Sequence, residues 1–153
     1  MTQATDARPS GDQPRLLVVE ARFYDDIADL LLEGATRALN AAGVTFDRVT
    51  VPGALEIPAA IRLALDHGGY DAFVALGCVI RGETSHYDIV AGESAHGLME
   101  LGVRDGALIG NGILTTDTGT QARLRADPDG KNKGGDAVRA ALALLQIRRC
   151  LGP

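Results

Sequence analysis

The sequence holds no tryptophan, three phenylalanines, three tyrosines, two cysteines and three histidines in 153 residues. With so few large rings, an interior must be assembled from Ala, Leu, Val, Ile and Gly. A hydrophobic content of 46% is enough for that without metals or disulfides. Cys78 and Cys150 form no CxxC pair and sit in different apolar contexts. No disulfide framework is indicated, and a reducing compartment fits. His67, His86 and His96 lack ligand spacing, so no metal site is expected. Positive charge is not in excess either. The net charge of −5 argues against broad nucleic-acid binding and requires any anionic ligand to be held by a local basic cluster. No apolar run reaches the roughly 20 residues needed to span a bilayer, so no membrane association is expected. Residues 1–14, MTQATDARPSGDQP, are polar and lack the apolar stretch of a signal peptide. They read as a flexible N-terminal tail before a single domain over 15–153, in a cytoplasmic protein.

What is present is a regular alternation. LLVVE, 16–20, is a short continuous apolar run, as in a strand buried on both faces. Asp25 or Asp26 can cap a helix on which Ile27, Leu30, Leu31, Ala35, Ala38 and Leu39 recur, with Gly43 as its left-handed end. TFDRVTV, 45–51, reads as a second strand from its β-branched content, broken by Pro52-Gly53. A second helix follows with Ile57, Ala60, Ile61, Ala64 and Leu65 on one face, and Pro58 requires it to begin close by. DAFVALGCVI, 71–80, is the clearest strand, followed by a helix from about 88 to 101. ALIGNGIL, 107–114, is a fourth strand loosened by two glycines. A short helical piece over about 118–126, a turn, and a last helix over about 135–150 complete the chain. This order implies an α/β three-layer sandwich, a four-stranded parallel sheet with helices on both faces. The last helix carries more apolar residues than one face can hold, which points to a partner subunit.

In such sheets ligands bind outside the carboxyl ends of the strands. Each strand here leads into unusual residues: Arg22, Phe23 and Tyr24; Pro52, Gly53 and Glu56; GCVIRGETSHYD, 77–88; Asn111, Thr115 and Thr116. Each also has a plain structural reading. Phe23 can cover the sheet end, Glu56 can complement a helix macrodipole, and His86 can be a backbone-bonded helix residue. Cys78 can be core, and Thr115–Asp117 a turn and cap. His67 reads as a helix-end residue and His96 as a solvated one. Arg123, Arg125, Lys131 and Lys133 form either a solvated face or an anion site. The segment around Gly82, Glu83, Thr84 and Ser85 precedes a helix and offers backbone N–H groups to a phosphate. GNGILTT has only two glycines of a dinucleotide fingerprint, and no GxxxxGK[ST] occurs.

The segments ARFYDDI, VPGALEIP, ALGCVIRGETSHYDIVAGE, GILTTDT and NKGG follow one another as in lumazine synthases, and the chain resembles that family over about 15–150, in particular its α-proteobacterial type. The resemblance implies a flavodoxin-like fold. It also implies condensation of 5-amino-6-(D-ribitylamino)uracil with 3,4-dihydroxy-2-butanone 4-phosphate to 6,7-dimethyl-8-ribityllumazine, the precursor of riboflavin, without metal or cofactor. By the same resemblance Phe23 stacks on the pyrimidine, Ala54, Leu55 and Glu56 bind the ribityl side, and Cys78, Val79 and Ile80 contact the ring and chain through their backbone. Glu83 and Thr84 hold the butanone phosphate, Arg125 grips the phosphate with Lys133 nearby, and His86 transfers protons. Asn111, Arg125 and Lys133 come from a neighbouring subunit of a homopentamer, which in the family stands alone, pairs or builds a sixty-subunit shell. Three positions depart from the common pattern: Tyr24 for Asn, Cys78 for Thr or Ala, and Asn111 for an aromatic wall residue. A non-catalytic flavin- or lumazine-binding scaffold of the same fold is the alternative. Retention of Glu56, His86 and Arg125 favours the enzyme.

Overall fold

A computed structural model describes residues 13–153. All of the expected N-terminal tail except Gln13 and Pro14 lies outside the described residues. The elements run β1 (Arg15–Ala21), α1 (Asp25–Ala42), β2 (Thr45–Val51), α2 (Glu56–His67), β3 (Ala72–Ile80), α3 (His86–Asp105), β4 (Ile109–Thr116), α4 (Gly119–Ala126) and α5 (Lys133–Leu151). The four strands form one parallel sheet in the order β2-β1-β3-β4. Among the described residues no helix is long and apolar enough to cross a membrane.

Strand periodicity divides the interior into two cores. Leu16 and Val18 of β1, Val74 and Leu76 of β3 and Leu114 of β4 pack with Ile27, Leu31 and Leu39 of α1, Ala122 and Ala126 of α4, and Val138 and Ala141 of α5. The alternate residues Leu17, Val19, Phe73 and Ala75 pack with Ile57 and Ile61 of α2 and Leu98 and Leu101 of α3. Burial on both faces explains why β1 and β3 read as continuous apolar runs rather than alternating ones. The expected three-layer α/β architecture is the observed one.

The differences lie at element ends. Asp25 and Asp26 sit in the first turn of α1 rather than capping it, and Tyr24 occupies the cap position with no side-chain capping bond. Gly43 ends α1 in the left-handed region at φ 66°, as its sequence position suggests. α3 begins at His86, and its C-cap is Gly106 at φ 72°, so the helix is longer at both ends than its apolar spacing indicates. β4 is displaced toward the C-terminus. Pairing of Phe73 with Ile109 sets a register in which Thr115 and Thr116 lie opposite Val79 and Ile80. The two threonines are therefore strand residues, where β-branched side chains fit well, and Asn111 lies inside the strand rather than at its tip. α4 opens with a reciprocal cap: Gln121 N–H donates to Thr118 Oγ1 at 3.2 Å, and Thr118 N–H to Gln121 Oε1 at 3.3 Å.

The glycines of GNGIL and NKGG have a packing reason. A Cβ on Gly110 would collide with the carbonyl of Ala137 in α5, and one on Gly112 would lie 2.9 Å from the Ala137 side chain. A Cβ on Gly134 would strike the carbonyl of Leu31 in α1. Asn132, at φ 48°, accepts a bond from Gly135 N–H at 3.2 Å and starts α5. A Cβ on Gly34 would overlap its side chain. So α5 lies backbone-to-backbone against α1 and β4, and the glycines are there for close approach rather than for a nucleotide.

Gly110→Ala forces a backbone shift at this contact and is expected to lower unfolding stability by about 2–3 kcal/mol. Urea or thermal unfolding of the two proteins measures it.

Candidate functional site

The sheet order places a reversal of chain direction at β1, the position where open α/β sheets present a crevice. At that edge the tips of β1, β2 and β3, with the start of α3, enclose a cleft of about 390 Å³. It is lined by Phe23 and Tyr24 after β1, Pro52 to Glu56 after β2, Cys78 to Ile80 of β3, and His86, Tyr87 and Val90 of α3.

Each wall is held by its own local structure. Phe23 follows β1 by two residues and is 73% exposed, and its ring meets Tyr24 edge-on at 5.0 Å and 75°. An exposed phenylalanine at a cleft mouth covers nothing within the chain, so its reading as a sheet-end cover does not fit. Glu56 is the first residue of α2; its N–H donates to Gly53 O at 3.2 Å, and its carboxylate bends back over Gly53, where a Cβ would lie 3.2 Å from Oε2. Ala54 and Ile57, both buried in the α2–α3 core, anchor this turn.

The β3–α3 loop is pinned by Arg81. Its N–H donates to Thr116 O at 2.9 Å, and Nε donates to Asp117 Oδ1 at 3.1 Å. Nη1 lies 3.5 Å from Asp88, and the guanidinium sits 4.1 Å from the ring centre of Tyr87. Arg81 is thus committed to holding the loop rather than to a ligand. His86 N–H donates to Thr84 Oγ1 at 3.3 Å, which turns the chain into α3 with the imidazole at the cleft. Glu83 and Thr84 are exposed in this loop beside the cleft but not among its lining residues. This is a helix N-terminus open to an anion.

Cys78 is partly buried. Burial, with the Asp26 carboxylate adding to it, pushes its thiol up to about 11, so at neutral pH it is a polarizable wall group and not a nucleophile. Asp26 itself pairs with Arg123 of α4 at 2.5 Å, which holds its carboxyl below the usual range.

The structure therefore gathers Phe23, Ala54, Leu55, Glu56, Cys78, Val79, Ile80 and His86 into one cleft. Asn111, Arg125 and Lys133 are not among its lining residues. Asn111 is exposed on β4, with Oδ1 accepting from Ile113 N–H at 2.9 Å. Lys133 pairs with Asp136 at 3.2 Å. Arg125 donates to Gln121 O at 3.1 Å, and among the described residues no carboxylate pairs with it. Among the described residues no lysine or arginine lines the cleft. Among the described residues no group of three or more His, Cys, Asp or Glu side chains could hold a metal ion.

The 6,7-dimethyl-8-ribityllumazine synthase family matches residues 13–149. The chain belongs to this family. It is 59% identical over 142 residues to 6,7-dimethyl-8-ribityllumazine synthase 1 of Rhodopseudomonas palustris, covering 90% of this chain and 87% of that protein. It is 57% identical over 145 residues to the 6,7-dimethyl-8-ribityllumazine synthase of Agrobacterium fabrum, covering 92% of this chain and 98% of that protein. With the synthase of Zymomonas mobilis it shares 57% over 137 residues, 90% of this chain and 98% of that protein.

Within this lumazine synthase family member, Tyr87 and Val90 are lining residues that sequence reasoning missed. Their spacing from His86, one and four residues on a helix, was the available signal, because it places Val90 one turn above the imidazole. Tyr24 was noted among the residues that follow the first strand and as a departure from the family pattern; its contact with Phe23 depends on the short link between β1 and α1.

The thiol environment has a measurable consequence. At pH 8 the Cys78 side chain is expected to alkylate about 100-fold more slowly than an ordinary exposed thiol, with the rate climbing as pH approaches 11. Mass-spectrometric timing of iodoacetamide labelling at Cys78 and at the exposed Cys150 provides the comparison.

Proposed function

We propose that the cleft condenses 5-amino-6-(D-ribitylamino)uracil with 3,4-dihydroxy-2-butanone 4-phosphate to 6,7-dimethyl-8-ribityllumazine, releasing phosphate and water. One observation carries this reading: Phe23, Glu56 and His86, far apart in sequence, line a single cleft in a chain of the lumazine synthase family. The exposed Phe23 ring is the stacking platform for the pyrimidine, a contact worth about 1–3 kcal/mol for a base on an aromatic ring. Ala54, Leu55 and Glu56 take the ribityl side, and the backbone of Cys78, Val79 and Ile80 orients ring and chain. The amine attacks the ketone, a Schiff base forms, phosphate leaves and the ring closes. Each step moves a proton, and His86 at the cleft is the group suited to carry it. Holding both substrates in one orientation supplies several kcal/mol of the barrier reduction.

The phosphate needs a cation, and none stands among the described residues that line the cleft. Glu83, Thr84 and the start of α3 supply N–H groups and a favourable dipole end, but Glu56 is a lining carboxylate and no basic side chain lines the cleft with it among the described residues. Arg125, which pairs with no carboxylate among the described residues, together with Lys133, is the natural source, donated with Asn111 by an adjacent copy of the chain. The exposed apolar residues Leu144, Ile147 and Leu151 of α5 and Leu124 of α4 support a closed homo-oligomer, and we take it to be a pentamer. The two free thiols fit a cytoplasmic location.

Mixing the purified protein with both substrates is expected to generate lumazine absorbance. His86→Ala is expected to slow it by about 10-fold or more, and an unchanged rate would remove His86 from proton transfer. Arg125→Ala should raise KM for the butanone phosphate. Subunit mixing tests the shared cavity. Co-refolded His86→Ala and Arg125→Ala chains form all-wild-type interfaces at about one quarter of their sites and recover activity accordingly. No recovery would mean that both residues act within one chain.

A further inference from the structure

Glu20 is a buried carboxylate with no part in the chemistry above. It is the penultimate residue of β1, 1% exposed, in a strand whose neighbours Val18 and Val19 are fully buried and apolar. A charge taken this far from water persists only with close partners. Glu20 has three: Arg22 Nη1 donates to Oε2 at 3.0 Å, Thr50 Oγ1 donates to Oε1 at 3.2 Å, and Arg48 Nη1 lies 3.5 Å from Oε1.

Arg22 carries the connection outward. Its Nε donates to Asp25 Oδ1 at 3.1 Å, and its Nη2 donates to Asp25 O at 3.3 Å and to the side chain of Asp29. Its guanidinium is held below by a buried carboxylate of the sheet and above by the first turn and a half of α1. Phe23 lies directly between these anchors. Its ring has no burial to fix it, and its ring-to-ring partner is Tyr24, itself in the same short link. The direction of the ring therefore depends on the backbone at residues 22–24, which the Arg22–Asp25 bonds span while Glu20 holds the same guanidinium from the sheet.

We infer that Glu20 is a positioning residue for Phe23, acting through Arg22 to hold the aromatic platform in its pyrimidine-stacking direction. A valine at position 20 would serve the sheet as well as Val18 does, and buried ion pairs are often replaceable by apolar groups without loss of stability. An apolar side chain cannot, however, reach past the strand end through a fork of donors and take hold of a helix start.

The stacking role of Phe23 belongs to the functional reading above, so the test includes an arm that does not need turnover. The chain lacks tryptophan, and Phe23→Trp therefore introduces a lone indole at the platform. Time-resolved fluorescence anisotropy is expected to show a mostly immobile indole, and adding Glu20→Gln is expected to raise the amplitude of its nanosecond motion by about 2-fold. In the Phe23 protein, Glu20→Gln is expected to raise KM for the aminouracil by about 5- to 10-fold, with kcat and KM for the butanone phosphate changed by less than about 2-fold. Arg22→Lys keeps the charge opposite Glu20 but loses the fork to Asp25 and Asp29, and should reproduce both effects. Indole motion unchanged by either substitution overturns the inference. So does a loss that falls equally on both KM values and kcat, which is the signature of general destabilisation. A wild-type protein that forms no lumazine would remove the functional reading and leave the anisotropy to decide the positioning claim.

Discussion

Four strands running in the same direction, with helices covering both faces, oblige every crossover to leave from one edge of the sheet. That constraint governs the molecule. The chain travels from β1 outward to β2, returns across β1 to β3, and continues to β4, so the links after β1 and β2 and the loop after β3 must meet at the same rim. The cleft is a by-product of this geometry: Phe23, Glu56 and His86 converge because each follows the carboxyl end of a parallel strand. The core beneath α2 and α3 supplies the rigidity, since the roots of the three links are tied to it through Ala21, Ala54, Ile57 and Val79.

Packing on the far side of the sheet shows a second economy. α5 reaches its place against β4 and α1 through Gly110, Gly112 and Gly134, where carbonyl groups stand in the space that side chains would occupy. Asn132 takes the left-handed conformation that starts the helix. The conspicuous NKGG string is therefore first a docking device for a helix. Lys133 is its one charged residue, and that side chain is engaged with Asp136. Of the basic residues noted on α4 and α5, Arg123 is tied to Asp26 and Lys133 to Asp136, whereas Arg125 pairs with no carboxylate among the described residues.

Much of this was legible in the sequence. The apolar runs of β1 and β3 announced strands buried on both faces, and the polar residues after them announced the rim. The motif from Gly77 to Asp88 put a histidine at a helix start because glycine and hydroxyl residues must turn the chain there. The position of β4 was harder to read. Ala107 and Leu108 are as apolar as the strand itself, and only pairing with β3 decides that Thr115 and Thr116 are inside the ladder and Asn111 is in its middle. The partnership of Glu20 with Arg22 was also hidden, because a charged residue closing an apolar run reads as the end of a strand. Its burial comes from Thr50 and Arg48 on β2, a neighbour 28–30 positions away. That no cation lines the cleft among the described residues is likewise a property of three dimensions: Arg125 follows the fourth strand in the chain, yet on α4 it is not among the lining residues.

The cleft is lined by an aromatic ring, a carboxylate and an imidazole, with no basic side chain among the described residues that line it. Under the function proposed above, a lone subunit offers the phosphate-bearing substrate only the N–H groups at the start of α3, so affinity for that substrate would climb with protein concentration as copies associate.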